Sequence, residues 1–245
     1  MTDSKPMPTA EQGKQHWKPG TLIYPLPAVL VSVGNTPEEY NMLTVAWTGT
    51  LCTEPPMCYI SVRKERHSHD IIARTGEFVI NLTTEELARA TDWCGVRSGR
   101  NENKWEAMSL TPMAVEGFRT PIIAESPLSI CCRVREIKEL GSHDMFVADV
   151  VDIVADERFI DPETGKFSLD KAKPLVYSHG EYFSIGKFIG HFGWSVRKKS
   201  KTQRAKRDSR EKTERSERCQ REVREGAERK RITQSALPES SLKTP

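Results

Sequence analysis

Apolar residues recur along this chain at two different periods. PAVLVSV, 27–33, rich in β-branched residues, predicts a buried strand. Gly34-Asn35-Thr36-Pro37 supplies a turn. NMLTVAWTGTL, 41–51, predicts a second strand that Gly49 can kink. Pro55-Pro56 interrupts the chain, and MCYISV predicts a third strand. HSHDIIART, 67–75, reads as a short helix in which His67 or Ser68 can cap, Asp70 suits the positive N-terminal end and Gly76 stops the element. EFVINL, 77–82, returns to strand. TTEELARATDW, 83–93, has a Thr before Glu85 and Glu86 and an apolar stripe, which predicts a second helix. CGVRSGRNENKW, 94–105, is polar and glycine-punctuated, a loop. LSICCRVREIKEL, 128–140, and HDMFVADVVDIVADE, 143–157, alternate over lengths that suit a barrel wall, with Gly141-Ser142 between them as the turn of a hairpin. PLVYSHGEYFSIG, 174–186, is a last strand pair, or one strand with a turn at Gly180.

The pattern is mainly β with α insertions: about six strands, often antiparallel by their short links, and two or three short helices. That is a β-barrel or a sandwich rather than a chain of βαβ units. No GxGxxG follows a strand, which removes support for a Rossmann site, and GxSxG and HExxH are absent.

Charge divides the chain. Its 245 residues carry a net +3, but 17 of the 37 Lys and Arg and only 8 of the 34 Asp and Glu fall in 195–245. That segment is therefore +9 and the remainder −6. Apolar residues also fall away after Trp194. The expected organisation is an N-terminal arm, 1–20, a folded domain, 21–194, and a basic low-complexity tail, 195–245, either disordered or a solvated helix held by i,i+4 ion pairs. Such a tail can bind nucleic acid by charge alone, yet it lacks the aromatics that stack bases. Nucleic acid is not expected except through it.

No apolar run is long enough to span a membrane, and the polar N-terminus has no signal-like apolar region. Both point to a cytoplasmic protein. The six cysteines show no CxxC and no metal-like spacing, so reduced thiols are expected. Cys131 and Cys132 read as strand residues.

Three polar clusters stand beside the strands. The first is NMLTVAWTGT, whose alternation sends Asn41 and Leu43 to one face and Met42 and Thr44 to the other. Alone it is also what a half-buried sheet looks like. The second is SVRKERHSHD, 61–70, where Arg63, Lys64, Arg66, His67 and His69 crowd a strand-to-helix passage. Either it is a solvated basic turn, or helix N–H groups and a guanidinium fork hold an anion there. The third is SGRNENKW, whose Ser98, Gly99 and Lys104 offer a hydroxyl, a close-approach backbone and a mobile ammonium, or simply a charged surface loop. His67 and His69, two residues apart, and His143 show no carboxylate–histidine pattern for a metal.

Taken in order, PLPAVLVSVG, NMLTVAWTGTLCTEPPMCYISVRKERHSHDII, GEFVINL, CGVRSGRNENKW, ELGSHDMFVADV and GEYFSIG resemble the flavin reductase-like, FMN-binding split-barrel family, and within it the flavoredoxin-type branch. The resemblance runs from about Pro25 to about Trp194. It implies an antiparallel split β-barrel, a homodimer and noncovalent FMN near the subunit interface. It implies that Asn41, Thr44, Ala46, Trp47 and Thr48 line the isoalloxazine, and that Ser61, Val62 and Arg63 run beside the ring and ribityl chain. His67, Ser68, Ser98, Gly99 and Lys104 would hold the phosphate or its flank, and His143 would lie near the flavin or the dimer seam. No catalytic side chain is implied. The expected role is an oxidoreductase or electron carrier fed by NAD(P)H or by a redox protein. A non-catalytic ligand-binding barrel with a nucleic-acid-binding tail is the alternative. The tail has no counterpart in the family pattern.

Overall fold

The computed structural model describes residues 13–196. The chain divides into two units at Gly186–Lys187. In chain order the first unit contains β1 (Leu26–Pro27), β2 (Val29–Val33), β3 (Asn41–Val45), β4 (Thr48–Thr53), β5 (Pro56–Arg63), α1 (His67–Thr75), β6 (Glu77–Asn81), α2 (Ala88–Val96), α3 (Lys104–Ala107), β7 (Pro112–Val115), β8 (Phe118–Ile123), β9 (Leu128–Leu140), β10 (His143–Ala155), β11 (Leu175–Ser178) and β12 (Glu181–Ser184). In the second unit, the described residues 187–196 include one 3-10 turn, Trp194–Val196, and exposed Phe188, Ile189 and Phe192. The arm expected over 1–20 is described only from Gly13, where it is exposed coil, and nearly all of the basic tail lies outside the described residues. No helix among the described residues is long and apolar enough to cross a membrane.

One antiparallel sheet runs β3-β2-β6-β9-β10-β5-β4. Its two edge strands, β3 and β4, are separated in the chain only by Ala46 and Trp47, so the sheet curls until its edges almost meet. At that corner the Ser61 N–H donates to the Trp47 carbonyl at 2.8 Å. This is a split barrel, and it corrects the single strand expected over 41–51. Val45 pairs with Val29 of β2, whereas Thr48 pairs with Ile60 of β5. No straight strand can pair with both ends of the same sheet, so the chain must turn a corner between them. Gly49 is not the corner. A Cβ there would lie 3.1 Å from the Tyr59 ring, which makes it a close-approach position.

Inside the barrel, Val31, Leu43, Ile60, Val62, Phe78 and Phe146 pack together, and Ile71 and Ile72 of α1 plug one end. Outside, Leu30 and Met42 lie under Leu87, Ala90 and Cys94 of the α2 region and under Trp105. Val79 and Cys131 lie under Phe118 and Ile122 of β8. β2 and β6 are thus covered on both faces, which is why they are buried throughout, Ser32, Glu77 and Asn81 included.

Three local expectations are corrected. The helix expected over 83–93 begins at Ala88, because Thr84 is taken up by a bridge to Pro174 and by the turn bond from Leu87 N–H. It also runs to Val96, three residues into the expected loop. That loop ends in α3, whose first N–H groups are capped by the Asn103 carboxamide. The β7–β8 hairpin has no counterpart in the sequence reading. α1 starts after Arg66, whose side chain has no acceptor with which to cap it, and ends at Gly76 with φ 69° and its N–H donating to the Ile72 carbonyl at 2.9 Å. The β9–β10 hairpin runs from Leu140–His143 to Leu128–Ala155 with two register shifts. β11 and β12 pair through a turn at His179-Gly180, and join β1 in a separate small sheet.

Candidate functional site

A cleft of about 620 Å³ opens beside the β3–β4 corner. Thr44 enters it from β3, Ala46 and Trp47 from the corner, Ser61, Val62 and Arg63 from β5, and His143 from the start of β10. His143 stands across from Arg63 in the sheet register. The rings of Trp47 and His143 lie 11° from parallel with centroids 6.4 Å apart, giving a flat piece of wall. α2 closes on β3 because Gly95 has no side chain: a Cβ there would meet the Thr44 Cβ at 3.2 Å. The Thr44 hydroxyl donates to the Thr91 carbonyl across the same contact.

A second cleft of about 330 Å³ adjoins the first, and the two share Leu43 and Arg66. Asn41, His67, Ser68, Ser98, Gly99 and Lys104 all line it. The start of α1 forms one side, where the first N–H groups of a helix lack intrahelical partners and carry the positive end of its dipole. The Asn41 amide donates to the Ser68 hydroxyl at 2.9 Å. Gly99 fits against that amide so closely that a Cβ would lie 2.6 Å from Asn41 Cγ.

Charge in the second cleft is one-sided. Arg66, Arg97, Arg100 and Lys104 face a single carboxylate, Glu65, which is already bonded to Arg63 at 2.8 Å. Burial, then Arg100 and Lys104, pull His67 below its usual pKa; burial, then Arg63 and Arg66, do the same to His143.

The sequence-derived residues therefore fall into two connected groups, with one left out. Thr48 lines neither cleft. It is buried, and its hydroxyl donates to the Tyr59 carbonyl at 2.7 Å. Lys104 is not the mobile ammonium expected of a loop. It is 4% exposed, and Nζ donates to the carbonyls of Met42 and Cys94, each at 2.8 Å, tying β3 to α2. Burial draws its pKa down to about 8. Arg63 lines the wide cleft and not the cationic one.

Sequence reasoning missed Arg97 and Arg100 as site residues, although they flank Ser98-Gly99 in the loop it singled out. It named Arg66 among the cations of the strand-to-helix passage but did not carry it into the site. It also missed Asp92, Tyr177 and Tyr182 on the wide cleft, where burial and Asp92 push the Tyr182 hydroxyl up to about 12. These come from elements distant in sequence and carry no local signal.

The amino-acid sequence matches the flavin reductase like domain over residues 21–186. Flavoredoxin of Desulfovibrio vulgaris (Miyazaki F) is similar in structure, with 27% identity, a TM-score of 0.69, and coverage of 75% of this chain and 100% of that one. Flavoredoxin from Methanosarcina acetivorans gives 26% identity and a TM-score of 0.68 over 75% of this chain and 99% of that one. An uncharacterised protein of Archaeoglobus fulgidus is 32% identical over 162 residues, 66% of this chain and 89% of that protein. A split barrel whose paired clefts sit at its open corner, together with a match spanning most of the described residues, leads to one conclusion: this chain belongs to the flavin reductase-like domain family.

Proposed function

We propose that the two clefts hold FMN and that the protein is an FMN-dependent oxidoreductase or electron carrier. The observation that carries this reading is the joined pair of clefts, one broad with a flat aromatic wall and one narrow with four cationic side chains facing a carboxylate already in a salt bridge. A ligand with a planar aromatic end and a doubly charged end matches both. In the narrow cleft Arg66, Arg97 and Arg100 would grip the phosphate, with the start of α1 behind it and Lys104 as a fixed charge. The Ser68 and Ser98 hydroxyls add neutral contacts. In the wide cleft Trp47 and His143 would set the plane of the ring, while Thr44 and Ser61 offer polar groups to its edge. Arg63 and Arg66 lend positive charge to that end, which favours negative charge on a ligand there. A bound FMN would supply uptake of a hydride or of electrons from a reduced nicotinamide or a redox protein, and their release to an acceptor.

A homodimer belongs to this reading. Its support is the exposure of Ile137, Leu140, Val151 and Ile153 along the β9–β10 hairpin.

The test is the visible absorbance of purified full-length protein, before and after NADH. A yellow protein that bleaches with NADH supports the reductase form. One that bleaches only when a reduced protein carrier is added supports the carrier form. Protein that neither purifies with flavin nor takes it up from solution contradicts both.

A further inference from the structure

The segment from Lys187 to Val196 carries its apolar side chains outward. Five of its ten residues are Phe188, Ile189, Phe192, Trp194 and Val196, and all five are exposed, Ile189 at 86% and Val196 at 83%. Two glycines set this shape. Gly193 has φ 78°, in the left-handed region that favours glycine. A Cβ on Gly190 would lie 2.7 Å from the Trp194 indole, so the missing side chain lets that ring fold back on the loop. The Trp194 N–H donates to the His191 carbonyl at 3.0 Å, and the Phe188 and His191 rings stand 5.0 Å apart. The result is a short, turned loop with aromatic and aliphatic tips in water. A contiguous apolar stretch of this kind on a surface marks an interaction site.

The charge beside the loop says what the partner is. Residues 187–207 carry eight Lys and Arg and no Asp or Glu. All eight acidic residues of 195–245 come after Arg207, where the two signs mix. Positive charge is therefore concentrated next to the apolar loop. The two kinds of residue follow one another and do not interleave. Single-stranded nucleic acid is held by aromatics and cations alternating along one groove. A bilayer surface suits the segregated order. Apolar side chains enter the acyl boundary, aromatic rings sit at headgroup level, and Lys and Arg stay with anionic headgroups. One such signal gives only marginal attachment, whereas two together hold.

From the exposed apolar loop and the unbalanced cations that follow it, we propose that 187–207 is a peripheral docking segment for a bilayer containing anionic lipid. It lies on such a surface and does not cross it. The inference does not depend on the FMN reading.

The test is flotation of the purified full chain with vesicles of phosphatidylcholine alone, and of phosphatidylcholine with about one-quarter phosphatidylserine. Wild type should float with the anionic vesicles and not with the neutral ones. Replacing the loop tips together, Phe188→Ser, Ile189→Ser and Phe192→Ser, should weaken binding about tenfold. Replacing three cations together, Lys198→Gln, Lys199→Gln and Lys201→Gln, should weaken it on the order of a hundredfold. The three loop tips are exposed, so the melting temperature of the first variant should match wild type. Binding that the loop variant leaves unchanged would overturn the proposal, because charge alone would then account for it. Absence of binding to anionic vesicles would also overturn it. Retention of single-stranded RNA in that case would assign the cations to nucleic acid, and a dimer that the loop variant splits would assign the loop to a second copy of the chain.

Discussion

Gly99 and Lys104 decide how tightly the cationic end of the site is built. Gly99 leaves no room for a side chain beside the Asn41 amide. Gly99→Ala should push Asn41 off Ser68 and widen the narrow cleft. Flavin affinity should fall about tenfold, roughly 1.4 kcal/mol, while the melting temperature moves little, because the loop is not in the core. Titration beside a thermal melt checks both, and an unchanged dissociation constant would show that the close fit is not part of the site.

Lys104 gives a pH dependence with a definite sign. Its pKa falls from 10.5 in an unrestrained chain to about 8 in the fold. Between those values the unfolded chain keeps the proton that the folded chain has shed, so this residue's contribution to stability rises with pH across that window and is lowest below it. Ligand binding runs the other way. The ammonium is present below about 8 and lost above it, so affinity for a phosphate-bearing flavin should weaken as pH rises through that value. Titrations across this range should show the decline in wild type and not in Lys104→Met. A flat wild-type profile would contradict the assignment.

At the level of elements, α1 is the piece the site depends on most, since its first turn faces the narrow cleft and its Ile71 and Ile72 close the barrel. It ends at Gly76 in the left-handed region, with open space where a Cβ would go. Gly76→Ala should therefore cost only the backbone strain, about 1 kcal/mol, seen as a lower denaturation midpoint with an unchanged slope. A loss several times larger would mean that the helix end packs more tightly than the open space implies.

This scale also shows what was legible in the sequence. α1 was, because a strand, a cationic turn, an amphipathic segment and a stopping glycine follow one another. The β9–β10 hairpin was, because thirteen-residue strands alternate around a glycine turn. The β3–β4 corner was not. Alternation runs through Val45, Ala46 and Trp47 without a break, and only partners distant in sequence, Val29 and Ile60, reveal that the strand must split. The β7–β8 hairpin was missed because Pro112 and Pro121 interrupt a run too short to declare itself. The start of α2 was misplaced because Thr84 does resemble a cap and accepts the Leu87 N–H, but it also bridges to Pro174, 90 residues away, and the helix begins only at Ala88.

For the whole molecule, the residues singled out by the resemblance line two adjoining clefts, because they are clustered in three short stretches. The placements differ from that expectation where tertiary structure assigns jobs. Thr48 was turned to a backbone carbonyl, Lys104 was sunk into a helix–strand joint, and the arginines that carry the open charge were left out. On the proposed reading, a curled sheet brings an aromatic wall and a cationic recess together to hold one phosphorylated flavin. Titrating the full chain with FMN, read by quenching of flavin fluorescence, tests this most directly. Saturation at one flavin per chain, with a dissociation constant of about a micromolar or tighter that weakens strongly in the Arg66→Ala, Arg97→Ala, Arg100→Ala triple variant, is the expected result. Absence of saturable binding, or binding that the triple variant leaves unchanged, would contradict it.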